Sequence, residues 1–129
     1  MYSKRTNSSL VASPVQVLLN AGKPEIDVSA DGTNWSSIIT SPVTTSLNTW
    51  NHVVAQRRGN VGTIYINGVS VITGSITVTP VVNTADSMVG SDDMVVTWPL
   101  NGYIDDFRIT KGVARYRENF TPPQSLPTS

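Results

Sequence analysis

The chain has 129 residues, nine basic and nine acidic side chains, a single histidine and no cysteine. That length suits one domain with a modest core. The balanced charge excludes the positive field that non-specific binding to nucleic acid or anionic lipid requires. Disulfides, thiolate zinc sites and cysteine nucleophiles are excluded too, and His52 alone cannot build a multi-histidine metal centre.

No apolar run approaches membrane-spanning length, and MYSKRTNSS lacks the apolar stretch of a secretory signal. The reading is a chain made in a cytoplasm, with its final location open. Val, Thr, Ile and Ser dominate, and glycine and proline punctuate the whole length. That is the composition of short strands joined by turns.

In chain order, VQVLL (15–19) is a compact apolar strand. EIDVS (25–29) puts Ile26 and Val28 on one face and Glu25 and Asp27 on the other. Asp31-Gly32 then turns the chain into WSSIIT, so residues 25–39 read as a hairpin. TSPVTTSLN is a loop. WNHVVAQRR (50–58) carries apolar groups on both faces, which predicts a central strand. After a turn at Arg58-Gly59-Asn60, TIYINGVSVI predicts a tight hairpin, because both positions of a two-residue turn need positive φ and Asn67-Gly68 tolerates it. In that register Ile66 faces Val69 and Ile64 faces Val71, while Tyr65 and Ser70 project from the other side. SMVG and MVVTW read as short strands. In NGYIDDFRIT, Tyr103, Asp105, Phe107 and Ile109 would share one strand face, and Ile104, Asp106, Arg108 and Thr110 the other. TKGVARYRENF reads as a turn with at most one helical turn, and residues from about 118 to 129 as a proline-rich surface tail. No repeat or linker divides residues 1–129, so a single β-sandwich domain is expected.

W-N-H-V-V-A-Q-R-R-G, then I-Y-I-N-G, then G-Y-I-D-D-F-R-I and A-R-Y-x-x-N-F-T-P-P resemble the laminin-G-like branch of the concanavalin A-like jelly rolls. The matching residues run from Trp50 to Pro122, and SADGTNW is similar to the family's middle strands. The likeness is to copies attached to phage tail and marine viral proteins, and a virion protein needs no export signal. It implies an all-β, concanavalin A-like (laminin-G-like) antiparallel β-sandwich jelly roll. Such domains usually begin with several more strands, so the resemblance implies that the usual first strands are lacking. The strand around Tyr103–Ile109 would then have an open edge. Homo-oligomerisation through exposed sheet edges, or a rearranged shorter sandwich, would follow.

The candidate residues divide by chemistry. Asp105 and Asp106 point to opposite faces in a strand and cannot act together on one substrate, so a structural role is expected for them. An arginine–carboxylate lock between the last strand and the returning segment is expected, with Arg108, Arg115, Arg57 and the backbone donors of the GVAR turn as the available partners. Trp50 and His52 are expected to pack, since there is neither a second histidine nor a serine in a nucleophile elbow. Glu25 and Asp27 have the alternate spacing of the Glu-x-Asp-x-Glu strand of family-16-type glucanases. Ser29 replaces the third carboxylate, and retaining hydrolysis needs two carboxyl groups about 5 Å apart, so a solvated hairpin face is preferred and no enzyme is expected. Asp92 and Asp93, with Asp86 and Asn83, form a loop that could take calcium; a polar turn is preferred, because no EF-hand spacing is present. Sugars stack on exposed rings beside polar side chains. The expected rim is therefore Trp98 with Asn101, Asp92 and Asp93, joined by Trp35 and Tyr65. The functional expectation is a non-catalytic recognition or structural module of a phage tail or adhesin-like protein, with a carbohydrate or protein ligand. A purely structural self-associating module and a degenerate hydrolase are the alternatives.

Overall fold

The computed structural model describes residues 1–5, 12–91 and 99–124. Eight strands run in chain order: β1 (Tyr2–Ser3), β2 (Val15–Asn20), β3 (Lys23–Val28), β4 (Ser37–Thr40), β5 (Val53–Arg58), β6 (Val61–Ile66), β7 (Val69–Ser75) and β8 (Met88–Val89). They form two antiparallel sheets, one ordered β4-β3-β2-β1-β8 and the other β5-β6-β7.

Three hairpins carry most of this order. Asn67-Gly68 joins β6 to β7 with φ of 51° and 81°, the left-handed pair that its sequence predicts. Ala21-Gly22 joins β2 to β3 in the same way, with φ of 49° and 78°. Sequence reading misses this second turn, because Ala rarely takes a left-handed conformation. The 25–39 hairpin forms as expected, Val28 pairing with Ser37 and Glu25 with Thr40.

The sheets face each other across a core of Ile26, Val28, Ile39, Ile64 and Ile76, flanked by Val17, Ala55, Val71, Ile72 and Val78. Ile39 is the key that fits one sheet into the other. It lies over Gly62 and Gly74, which are register partners on β6 and β7. A Cβ on Gly62 would sit 2.6 Å from Ile39 Cδ1, and one on Gly74 2.8 Å from the same atom. The paired glycines therefore make a notch that the isoleucine fills, at the close packing typical of protein interiors.

Several expectations are corrected here. The Ile64–Val71 pairing is replaced by Ile64–Ile72, since a register shift between Ile64 and Tyr65 leaves Val71 as an extra residue. The β5 strand begins at Val53 rather than Trp50 and lies at the edge of its sheet, not its centre. Its outer face is instead covered by chain from the C-terminal region. NGYIDDFRIT forms no strand: Asp106 has φ 50°, a left-handed bend that no continuous strand tolerates. TKGVARYRENF, expected to be a turn with at most one helical turn, has bends and no helix. MVVTW lies at 94–98, outside the described residues.

Candidate functional site

The outer face of β5-β6-β7 alternates with the core face, so Val54, Gln56, Thr63, Tyr65, Ser70 and Thr73 point away from the core. That face is not bare. A strap running from Arg115 to Pro122 crosses it and is fastened at both ends. At one end, the Gln56 side chain imitates a strand partner. Its amide nitrogen donates to the Tyr116 carbonyl at 2.6 Å, and its oxygen accepts from the Tyr116 N–H at 3.2 Å. At the other end, Ser70 N–H donates to the Asn119 side chain at 2.8 Å, and Phe120 N–H to the Gly68 carbonyl at 2.9 Å.

Rings close the gap between these clasps. Tyr116 and Phe120 stack with centroids 3.6 Å apart and planes within 10°. Both lie against Tyr65, at 6.1 and 5.5 Å. Tyr65 is consequently only 3% exposed and has no face to offer an external ligand, contrary to its expected place on a rim. At the start of the expected surface tail, Asn119 and Phe120 are both anchored. Gly68 is required for this docking: a Cβ there would fall 1.8 Å from the Phe120 carbonyl oxygen.

Between the clasps, Arg117 and Glu118 overhang the sheet. With Gln56, Arg58, Thr63, Ser70 and Thr73 they line an open groove of about 170 Å³, floored by Tyr65. Arg58 and Arg117 are exposed, and neither guanidinium bonds to any described residue.

The other sheet holds the suspected hydrolase carboxylates. Glu25 is 7% and Asp27 3% exposed, so the expected solvated face is a buried one. Gln16, the register partner of Asp27, accepts from Arg5 at 3.2 Å, and the Arg5 guanidinium lies 5.7 Å from the Trp35 ring. The Glu25 carboxylate accepts from Thr40 Oγ1 at 2.5 Å and Asn20 Nδ2 at 3.3 Å. Glu25 is thus held by two neutral donors on a buried face. Trp35 is half-buried beside Arg5 rather than free at a rim.

The 29–36 loop has its own lock. Asp31 accepts from the Thr33 and Asn34 N–H groups, each at 2.8 Å, and from Ser29 Oγ at 3.2 Å. Those backbone donors hold its carboxyl far below the usual carboxylate range.

Trp50 was expected to pack and is instead 68% exposed, with Leu47 at 86% in the same loop. The loop is closed by hydrogen bonds. Asn51 Nδ2 donates to the carbonyls of Ser46 (2.8 Å) and Thr49 (3.0 Å), and its Oδ1 accepts from Ser46 N–H at 3.2 Å. His52 does pack, edge-on to Phe120 at 5.6 Å, and its buried Nδ1 has no partner among the described residues. Burial pushes its pKa below the ordinary value of 6.5.

Asp105 and Asp106 are both exposed, and the Asp105 carboxylate accepts from the Asp106 N–H at 2.8 Å where the chain bends. Arg115 donates to Thr110 Oγ1 at 2.9 Å. Arg108 is half-buried, and Asn101 is exposed. Asp92, Asp93 and Trp98 lie outside the described residues. Asn83 is tied to the chain start, donating to the Lys4 carbonyl at 2.9 Å, and Asp86 is exposed. Among the described residues no group of three His, Asp or Glu side chains could hold a metal ion, and no helix is long and apolar enough to cross a membrane.

The comparisons agree with this architecture. Residues 5–116 match the Laminin_G_3 family, described as the concanavalin A-like lectin/glucanases superfamily. The chain belongs to that family. No curated protein matches it significantly. Among solved structures, it is similar to an S-layer domain-containing protein (residues 221–444) of Clostridium thermocellum, with 24% identity and a TM-score of 0.45. That match covers 83% of this chain and 52% of the other, so the chain spans about half of its structural relative. As a concanavalin A-like, laminin-G-like β-sandwich, it falls in a class of typically non-catalytic lectin-like or binding modules.

Proposed function

We propose that this laminin-G-like domain is a non-catalytic recognition module that binds carbohydrate through its loops, carried by a phage tail or adhesin-like protein. The observation that carries the reading is Trp50: a large ring, 68% exposed, on a loop whose backbone Asn51 holds in place. Exposing an indole forfeits its burial energy, and a sugar's C–H face stacking on the ring would recover part of it. The burial of Glu25 and Asp27 supports binding without hydrolysis. A glycan array with the wild type and Trp50→Ala tests this: the wild type retains a defined set of glycans and the variant loses it. Retention by the variant at full strength would refute the role of Trp50, and reducing-sugar release from β-glucans would refute the non-catalytic reading.

A second reading, self-association, is favoured by a separate observation. Tyr103, Phe107, Ile109 and Val113 are 89%, 44%, 52% and 66% exposed along one segment, and Phe107 stacks on Tyr2 of β1 at 6.2 Å. Contiguous apolar exposure of this kind marks interaction surfaces. Light scattering after size exclusion decides it: a concentration-independent monomer removes this reading and leaves the first intact.

A further inference from the structure

We infer that the groove under the C-terminal strap is a second subsite, built to take an acidic sugar residue by its anionic substituent. This rests on the carbohydrate-binding reading above but on a different part of the molecule. The strap is pinned through Tyr116 on one side and through Asn119 and Phe120 on the other, so the two residues between the pins are held in place without being used by the clasp. Arg117 and Glu118 are those two residues. Arg58, at the end of β5, meets Arg117 across the same groove.

Two arginines from segments far apart in the chain thus line one opening, and neither bonds to a described residue. A planar guanidinium matches the two oxygens of a carboxylate or sulfate ester. The rest of the lining suits a sugar ring. Thr63, Thr73 and Ser70 supply hydroxyls, and the Glu118 carboxylate accepts hydroxyl protons. Glu118 also sets a limit. Two positive charges against one negative leave a net +1 at the groove, enough to hold one anionic group of a chain at a time. The volume of about 170 Å³ is below the roughly 300–1,000 Å³ of sites that enclose whole drug-sized ligands, so a single acidic unit of a longer chain is the occupant.

The test is binding of the whole chain to sodium polygalacturonate, its fully methyl-esterified form, dextran sulfate and neutral dextran, at low and high salt. The proteins are the wild type, Arg58→Ala, Arg117→Ala, Arg117→Lys, Trp50→Ala and, as a charge control on the other sheet, Lys23→Ala. Neither arginine bonds to a described residue, and unchanged melting curves verify that the variants are folded. The expected result is retention on polygalacturonate or dextran sulfate, whichever anion the groove takes, weakened by salt. Retention is absent on the ester and on dextran. Each Arg→Ala change lowers affinity roughly tenfold or more, Lys recovers part of the loss, and Lys23→Ala has no effect. Equal binding of the esterified polymer, no binding of either anion, or an equal loss from Lys23→Ala would overturn the subsite. If glycans on the array still depend on Trp50 in that event, only the groove falls and the recognition module stands.

Discussion

Replacing Gly74 or Gly62 with alanine tests how the two sheets are keyed together. At Gly74 the new methyl would meet Ile39 Cδ1 and Cγ1, each at 2.8 Å, well inside ordinary van der Waals contact. At Gly62 it would meet Ile39 Cδ1 and Ile76 Cδ1, both at 2.6 Å. Ile39 and Ile76 are 5% and 0% exposed and have no free space into which to turn. Overpacking a filled core costs about 1–3 kcal/mol. Gly62→Ala belongs at the upper end because two branched side chains must move, and Gly74→Ala near the middle because one must. For a chain of this size each kcal/mol lowers Tm by roughly 3–5 °C. The assay is urea unfolding followed by tryptophan fluorescence, with thermal melting as a second probe. The decisive arm is the cycle with Ile39→Ala, which removes Cδ1 and Cγ1, the Ile39 atoms that the Gly74 methyl meets. The Gly74→Ala/Ile39→Ala double variant is expected to be less destabilised than the sum of its parts, by about 0.5–3 kcal/mol. An additive cycle, or a Gly74→Ala protein as stable as the wild type, would refute the notch.

Three further outcomes follow from the same geometry. Gln56→Ala removes both bonds to Tyr116 and is expected to cost roughly 1–3 kcal/mol and to speed amide exchange across residues 115–120; unchanged exchange there would contradict the clasp. Asp31 has a depressed carboxyl pKa in the fold, so its contribution is complete above its ordinary value of 3.8 and is lost as pH falls through the folded value. Acid unfolding below about pH 4 should therefore be shallower in Asp31→Asn than in the wild type. For His52 the folded pKa is also lowered, so stability present above pH 6.5 declines as pH falls through the folded value, and His52→Phe should flatten that window; an NMR titration showing an ordinary or raised value reverses the sign.

Much of the framework was legible in the residues themselves. Ile26 and Val28 share a face because strand side chains alternate, and they do enter the core together. Asn67-Gly68 announces its turn because few residue pairs accept positive φ twice in succession. The order of motifs from Trp50 to Pro122 likewise pointed to the right family.

Alternation says which residues share a face, but not what will cover that face. Glu25 and Asp27 read as solvated, yet both are buried; Tyr65 read as an exposed ring, yet it lies beneath Tyr116 and Phe120. Trp50 read as packed and stands in solvent. Its neighbour Asn51 closes a loop by hydrogen bonds whose geometry depends on the whole connection. Asp105 and Asp106 fit a strand pattern perfectly, but a strand exists only where another backbone satisfies its amides, and here the chain bends at Asp106. Local chemistry determined the strands, the turns and the family. Coverage was decided by contacts between segments far apart in the chain, such as the Gln56–Tyr116 clasp across 60 positions, and those arise only when the sheets have packed.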